Sequence, residues 1–136
     1  MPVLIDSNVI IDVLTRDLHW YAWSAKTLEK IANEDALYIN PVIYAEVSVC
    51  FDTIEELERA LPESYIYRAP LPYEAAFLAA KCFLQYRKRG GAKSAPLPDF
   101  YIGAHAAVKN WRLLTRDKGR YATYFPGLAV IMPTEQ

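Results

Sequence analysis

The sequence predicts a single α/β domain built on a five-stranded parallel sheet with helices on both faces. Short apolar segments of strand length alternate along the whole chain with longer segments of helical apolar spacing. This alternation is typical of parallel sheets joined by right-handed crossovers. The chain has 136 residues, of which 53% are hydrophobic, and is long enough to bury one continuous core. Because no repeat or low-complexity linker interrupts it, residues 1–136 are predicted to form one domain.

Composition narrows the functional classes. The chain has 15 basic and 16 acidic residues, so any site for a polyanion must be a local patch. The N-terminus lacks a basic region followed by a long apolar run, and no segment approaches the length that spans a bilayer. We therefore expect a soluble, cytoplasmic protein. Cys50 and Cys82 lie among apolar residues, which predicts reduced thiols in the core.

Local patterns predict each element in turn. Three aliphatic residues run directly into Asp6, as expected for a buried parallel strand whose carboxyl end presents an acid. The predicted strands are 3–5, 37–39, 65–67, 112–115 and 128–131. Helices are predicted at 8–15, 22–33, 42–51, 73–87 and 100–110. A further helix opens with the capping-box sequence at 53–56 and ends at 61–62.

Four acids stand where such a sheet would gather them. Asp6 and Asp117 follow predicted strands, Asp99 begins a helix, and Glu46 lies in the second turn of a helix entered from a strand. In open α/β sheets these positions share one edge, so the four carboxylates are predicted to converge. The helix around Glu46 is apolar on nearly all sides and is predicted to be buried. Two simpler explanations stay open: Asp6 could cap the next helix, and Glu46 could form a salt bridge.

Converging carboxylates repel one another, and a bound divalent cation relieves that repulsion. Oxygen ligands without a His or Cys cluster favour Mg²⁺ or Mn²⁺ over Zn²⁺. The natural substrate group of Mg²⁺ is a phosphate, which points to a phosphoryl-transfer hydrolase with one or two metal ions.

Four motifs together resemble the PIN-domain ribonucleases, specifically the VapC-type toxins of toxin–antitoxin pairs. The motifs are Asp-Ser-Asn-Val-Ile-Ile-Asp at 6–12, Ala-Glu at 45–46, Pro-Asp-Phe-Tyr-Ile-Gly-Ala at 98–104 and Leu-Thr-Arg-Asp at 114–117. The resemblance covers the whole chain in order. One departure is Ser7, which stands where many relatives have Thr.

The resemblance implies a PIN-like three-layer α/β/α fold and a Mg²⁺- or Mn²⁺-dependent endoribonuclease that hydrolyses RNA phosphodiester bonds. The residues that would be both catalytic and metal-binding are Asp6, Glu46, Asp99 and Asp117. Asn8 and Thr115 would support the site through hydrogen bonds. It also implies a homodimer, held inactive by a small antitoxin protein that covers the acidic groove.

Two groups of basic residues are candidates for contact with the RNA backbone. The first group comprises Arg87, Lys88, Arg89 and Lys93. The second comprises Arg112, Arg116, Lys118 and Arg120, of which Arg116 is favoured because it adjoins Asp117. Alternatively, these charges only face water and complement helix dipoles.

Other functions remain to be weighed. A receiver-like domain also binds Mg²⁺ through acids, but it needs an acidic acceptor after its third strand, where this chain has Arg68. An aspartyl phosphatase needs a second Asp at the position of Asn8. A non-catalytic PIN-like domain that binds RNA or protein would be expected to lack one of the four acids.

His105 is predicted to point away from Asp99, and the abundant Trp and Tyr residues fit either the core or an interface.

Overall fold

The computed structural model describes residues 1–90, 97–117, 119 and 121–134. The strands are β1 (Val3–Ile5), β2 (Leu37–Ile39), β3 (Tyr67–Arg68), β4 (Arg112–Leu114) and β5 (Val130–Ile131). The helices are α1 (Ser7–Thr15), α2 (Tyr21–Ala32), α3 (Pro41–Ser48), α4 (Ile54–Ala60), α5 (Tyr73–Lys88) and α6 (Leu97–Lys109).

The strands form one parallel sheet in the order β3-β2-β1-β4-β5. In its centre, Leu4 of β1 is in register with Tyr38 of β2 and Leu113 of β4. The chain builds outward from β1 in one direction through β2 and β3, and then returns to add β4 and β5 on the other side. The predicted α/β class and the five-stranded parallel sheet are confirmed. This order places a topological switch point between β1 and β4, where open α/β sheets form ligand crevices.

The sheet is covered on both faces. Val3, Leu4 and Ile5 are all fully buried, although neighbouring residues in a strand point to opposite faces. The core extends from them to residues of the helices, including Ile43 of α3 and Ile102 of α6. Burial on both sides is typical of parallel sheets and explains why β1 is an uninterrupted aliphatic run.

Two predicted helix starts are confirmed. Asn40 caps α3, because its side chain accepts a hydrogen bond from the Ile43 N–H at 2.9 Å and Pro41 follows in the first turn. Thr53 and Glu56 form the capping box that opens α4. The first of these caps fixes the start of the helix that carries Glu46.

The edge strands differ from their predicted bounds. Residues 65 and 66 are not in β3, because the N–H groups of Tyr65 and Ile66 both donate to the Pro62 carbonyl in a turn after α4. At the other edge the Leu128 N–H donates to the Phe125 carbonyl, so β5 is shorter than predicted. Short apolar segments predicted these strands, but backbone N–H groups at the start of each segment donate within local turns instead of to a neighbouring strand.

The prediction that α3 is buried on all sides is wrong. Only Ile43 and Val47 of this helix are buried, while Val49 just beyond it is 82% exposed. Cys50 is also exposed, so only Cys82 is a core thiol as predicted. Val42 and Tyr44 are partly buried against the core, so this helix is buried along one side only. Among the described residues, no helix is long and apolar enough to cross a membrane.

Candidate active site

Asp6 lies at the switch point. It directly follows β1, and its backbone N–H donates to the Leu114 carbonyl of β4 at 2.8 Å. Its carboxylate is buried, and Oδ2 accepts hydrogen bonds from Thr115 Oγ1 at 2.8 Å and Tyr121 OH at 2.9 Å. Asn8 Nδ2 makes a longer contact to the same oxygen at 3.4 Å. Asp6 occupies the N-cap position of α1 but makes no side-chain cap hydrogen bond, so helix capping does not explain this acid.

The electrostatics of Asp6 show which carboxylates are its neighbours. Burial raises the pKa of Asp6 to about 6 from its ordinary value of 3.8, and the hydrogen bonds from Thr115 and Tyr121 oppose this shift. The negative charges of Asp99 and Glu46 raise its pKa further. These two acids therefore face Asp6, although they are distant from it in sequence.

Tyr121 connects the remaining acid to this group. Burial and the charges of Asp6, Asp99 and Asp117 raise the pKa of its hydroxyl. The hydroxyl consequently stays protonated and is a hydrogen-bond donor to Asp6. The charges of Asp99 and Glu46 thus act on Asp6, and those of Asp6, Asp99 and Asp117 act on the buried Tyr121 hydroxyl.

Glu46 has a defined orientation. Ser7 Oγ, at the first position of α1, donates to Glu46 Oε1 at 2.7 Å. The carboxyl group is only half-buried, in agreement with the partial exposure of α3. The Ser7 hydroxyl therefore orients one of the predicted site acids.

Asn8 and Thr115 form a network that ties the ends of β1 and β4 together. Asn8 Nδ2 donates to Thr115 Oγ1 at 3.2 Å, and Asn8 Oδ1 accepts from the Arg116 N–H at 3.3 Å. Thr115 Oγ1 also accepts from the Asp117 N–H at 3.1 Å. Both residues therefore contact the site through hydrogen bonds, and Thr115 links Asp6 to the backbone of Asp117.

Arg116 has a structural partner that the sequence analysis missed. Its Nε donates to Oδ2 of Asp12 at 2.7 Å, and Ser24 Oγ donates to the same oxygen at 2.8 Å. Asp12 is 2% exposed, and the Arg116 guanidinium lies 5.4 Å from the centre of the Trp20 ring. The hydrogen bond with Asp12 is the main cause that raises the pKa of Arg116. An acid on the apolar face of the predicted first helix was the available signal, because a buried carboxylate requires a partner.

The other basic candidates divide between the two ends of the sheet. Arg112 begins β4, at the opposite end from Asp117, and its Nη2 contacts Asp35 Oδ2 at 2.7 Å. The predicted place of Arg112 beside the acids is therefore wrong, because Arg112 lies at the amino end of β4 and Asp117 follows its carboxyl end.

The basic end of α5 is connected through one aromatic ring to Phe100, the neighbour of Asp99. Arg87, Lys88 and Arg89 are exposed at the end of this helix. The Arg89 guanidinium lies 5.6 Å from the Tyr124 ring centre, and Tyr124 packs on Phe100, the neighbour of Asp99. Lys93, Lys118 and Arg120 lie outside the described residues.

The donor chemistry of the site fits a hard divalent cation. Its ligand candidates are carboxylate oxygens. Burial is the main cause that raises the pKa of Asp6, the charges of Asp99 and Glu46 contribute less, and a bound cation would oppose both effects. In the described part of the chain, no three His, Cys, Asp or Glu side chains lie close enough to form a complete metal cage. Mg²⁺ does not require one, because it usually contacts one or two carboxylates and keeps several waters.

His105 lies behind the site in the core, where burial lowers its pKa to about 4. Its Nδ1 contacts Asn40 Nδ2 at 3.0 Å. Because Asn40 Oδ1 accepts from Ile43, the facing group of Asn40 is its amide donor, and Nδ1 must be the acceptor. This neutral ring links α6, which carries Asp99, to the cap of α3, which carries Glu46.

Comparisons with known proteins agree with this architecture. A comparison with curated protein sequences finds no significant match. Three solved structures share the fold at low identity: VapBC2 from Rickettsia felis bound to a promoter DNA fragment (TM-score 0.74, 17% identity, 97% of this chain and 98% of that chain), VapBC-1 from nontypeable Haemophilus influenzae (0.73, 18%, 97% and 98%), and a toxin–antitoxin complex from Klebsiella pneumoniae (0.65, 22%, 98% and 99%). The model of the PIN domain family matches residues 3–126. The chain therefore belongs to the PIN domain family.

Proposed function

We propose that this chain is a Mg²⁺- or Mn²⁺-dependent endoribonuclease and the toxin of a type II toxin–antitoxin pair. The observation that carries the proposal is the buried Asp6 carboxylate at the switch point, whose pKa is raised in part by the charges of Asp99 and Glu46. Acids that disfavour one another's ionised form destabilise the fold unless a cation is bound, so their arrangement favours a metal site.

In this proposal Asp6, Glu46, Asp99 and Asp117 hold the metal, directly or through its waters. When bound, the metal stabilises negative charge on the scissile phosphate and activates the attacking water. The other side chains orient these acids: Thr115, Asn8 and Tyr121 hold Asp6 through one oxygen, and Ser7 holds Glu46. Fixed orientation matters because the carboxylates must not reorganise during phosphoryl transfer.

We further propose that RNA reaches this site between two basic groups. Arg116 adjoins Asp117, and since its Nε binds Asp12, we assign its other guanidinium nitrogens to contact with a phosphate. Arg87, Lys88 and Arg89 are exposed at the end of α5 and form the second group, to which we assign Lys93 as well.

We assign a cognate antitoxin as the protein partner, since the structural neighbours include toxin–antitoxin complexes. An apolar groove with a volume of about 360 Å³ runs beside Glu46 between α3 and the start of α6. Its other lining residues are Pro41, Val42, Ala45, Leu97, Pro98 and Tyr101. A partner seated there would cover the acids and exclude RNA.

We also propose that the chain forms a homodimer. Tyr73, Phe77 and Leu84 are exposed on α5, with Tyr73 92% exposed. Large apolar side chains at such exposure favour an interface with a second copy. Light scattering should show a dimer that the Phe77→Glu variant converts to monomer.

The central experiment is a cleavage assay on total RNA with the purified full-length chain. Cleavage is expected with Mg²⁺ or Mn²⁺, should disappear in chelator and should return when either metal is added back. Cleavage that persists in chelator would contradict metal dependence. A folded protein that binds RNA but never cuts it, with any of these metals, would favour the non-catalytic alternative instead.

A further inference from the structure

We propose that Tyr121 is a positioning residue that presents Asp6 to the metal, an inference that rests on the proposed function. The Tyr121 hydroxyl donates to Asp6 Oδ2 at 2.9 Å, and the side chain is 2% exposed. Nothing in the strand pattern of the sequence assigns this residue, because it lies in a turn after β4 rather than in a strand or helix.

The first step of the argument concerns the donors that Asp6 receives. Thr115 Oγ1, Tyr121 OH and Asn8 Nδ2 all approach the same oxygen, Oδ2. Donors concentrated on one oxygen fix the rotation of the carboxylate and stabilise its charged form. Both effects prepare the group for a cation.

The second step concerns how the Tyr121 ring is held. A Cβ atom at Gly103 of α6 would lie 3.0 Å from Tyr121 Cδ1 and 2.5 Å from Phe125 Cε2. Gly103 therefore leaves the room that these two rings fill, and it lies one turn from Asp99 on the same helix. Aromatic rings of this chain, those of Tyr121 and Phe125, occupy the space at Gly103.

The third step joins the two contacts. The ring packs on the helix that carries Asp99, and the hydroxyl bonds to the acid that follows β1. One side chain thus connects the two elements whose acids, Asp6 and Asp99, would hold the metal in the proposed function. Tyr121 never needs to contact the metal or the RNA, because it acts through Asp6.

The test is Tyr121→Phe in the full-length chain, which removes only the hydroxyl. Tyr124→Phe is the matched control. Tyr124 lies in the same turn segment as Tyr121, and its ring packs on Tyr86 and Phe100. We expect calorimetric titration with Mn²⁺ alone to show about tenfold weaker binding for Tyr121→Phe and unchanged binding for Tyr124→Phe. At a fixed, subsaturating Mn²⁺ concentration, kcat on RNA should fall by a similar factor while KM for RNA stays within about twofold.

Mn²⁺ affinity of Tyr121→Phe equal to that of the unsubstituted chain would overturn the inference and leave the proposed function intact. If the unsubstituted chain itself neither binds Mn²⁺ nor cuts RNA, the proposed function fails and takes the inference with it.

A double variant covers the case in which Tyr121→Phe does not fold. The Asp6→Asn substitution removes the carboxylate charge that the Tyr121 hydroxyl stabilises. The double variant Asp6→Asn/Tyr121→Phe should therefore fold, and its unfolding in chelator should be cooperative. A double variant that also fails to fold would show that the hydroxyl serves packing alone, and would overturn the inference.

Discussion

The charged carboxylate of Asp6 lowers the free energy of unfolding of the metal-free chain. Its pKa is raised to about 6, chiefly by burial, so that at neutral pH the folded state carries a charge that the surroundings disfavour. The hydrogen bonds from Thr115 and Tyr121 offset part of this cost. The unfolded chain has no such penalty, and removing the charge should therefore stabilise the metal-free fold.

We expect Asp6→Asn to abolish RNA cleavage and to raise the free energy of unfolding at pH 7 by about 1–3 kcal/mol in chelator. The asparagine carbonyl can still accept from Thr115 and Tyr121, so only the charge is lost. Asp99→Asn should also abolish cleavage. Urea unfolding and the RNA assay check both variants, and a folded Asp6→Asn that cuts RNA normally would locate the active site elsewhere.

The Asp12–Arg116 pair predicts a different outcome at a neighbouring position. Arg116→Ala leaves the buried Asp12 carboxylate without its cation, which should lower the free energy of unfolding by about 1–3 kcal/mol. If Arg116 also contacts RNA, binding should weaken most at low salt. Asp12→Asn is the control, because it removes the same ion pair and keeps the arginine. Equal RNA affinities for the two variants across a salt series would show that Arg116 is structural only.

At the scale of elements, α6 combines two functions in one helix. Its N-terminal turn carries Asp99, while Gly103 and His105 contact the turn after β4 and the cap of α3 respectively. The same helix therefore determines the distances from Asp99 to Asp6 and to Glu46. A change on its buried side should disturb the site without touching an acid.

Gly103→Ala is the change that tests this. The added methyl group would lie 2.5 Å from Phe125 Cε2 and 2.7 Å from its Cδ2, which forces the ring to move. We expect a loss of about 1–3 kcal/mol in the free energy of unfolding and a lower rate of RNA cleavage. Gly127→Ala is the matched control, since its Cβ would meet nothing within 4 Å, and it should be nearly neutral. Similar effects of the two substitutions would contradict the packing argument.

Elements built on strong local signals were the predictable ones. The aliphatic run before Asp6, the Asn40-Pro41 cap and the capping box at Thr53 each depend on neighbours in sequence, and the structure has all three. The start of β3 was not predictable in this way, because the Pro62 carbonyl takes the donors of residues 65 and 66. Which apolar side of α3 meets the sheet depends on tertiary packing as well.

At the scale of the whole molecule, the parallel sheet makes the acids of the site predictable and their partners hard to predict. Parallel strands send their carboxyl ends to one edge, so acids that follow β1 and β4 must be close. Tyr121 reaches the same place from an irregular turn, and Asp12 meets Arg116 across 104 positions of sequence. No periodicity records such contacts, since they depend on the folded path of the chain.

The whole molecule also combines two opposed pH dependences. The pKa of Asp6 is raised from 3.8 to about 6, so between these values the folded state binds the proton more tightly, and stability falls as pH rises. The pKa of His105 is lowered from 6.5 to about 4, so over nearly the same range the unfolded state binds the proton more tightly, and stability rises with pH. Hydrogen bonds lower the pKa values of Asp35 and Glu58 from 3.8 and 4.5, so their contributions to stability are lost at the acidic end of this range and below it.

We therefore expect the unsubstituted chain to show a nearly flat free energy of unfolding between about pH 4 and 6.5 in chelator, because the two contributions cancel. Asp6→Asn removes the falling contribution, and the variant should gain about 2–3 kcal/mol in stability as the pH rises through this range. Urea unfolding at four pH values across it measures both profiles. An Asp6→Asn profile as flat as that of the unsubstituted chain would mean that His105 does not titrate as a buried neutral ring. The Asn40 contact to its Nδ1 argues against that outcome, since only the neutral ring can accept that hydrogen bond.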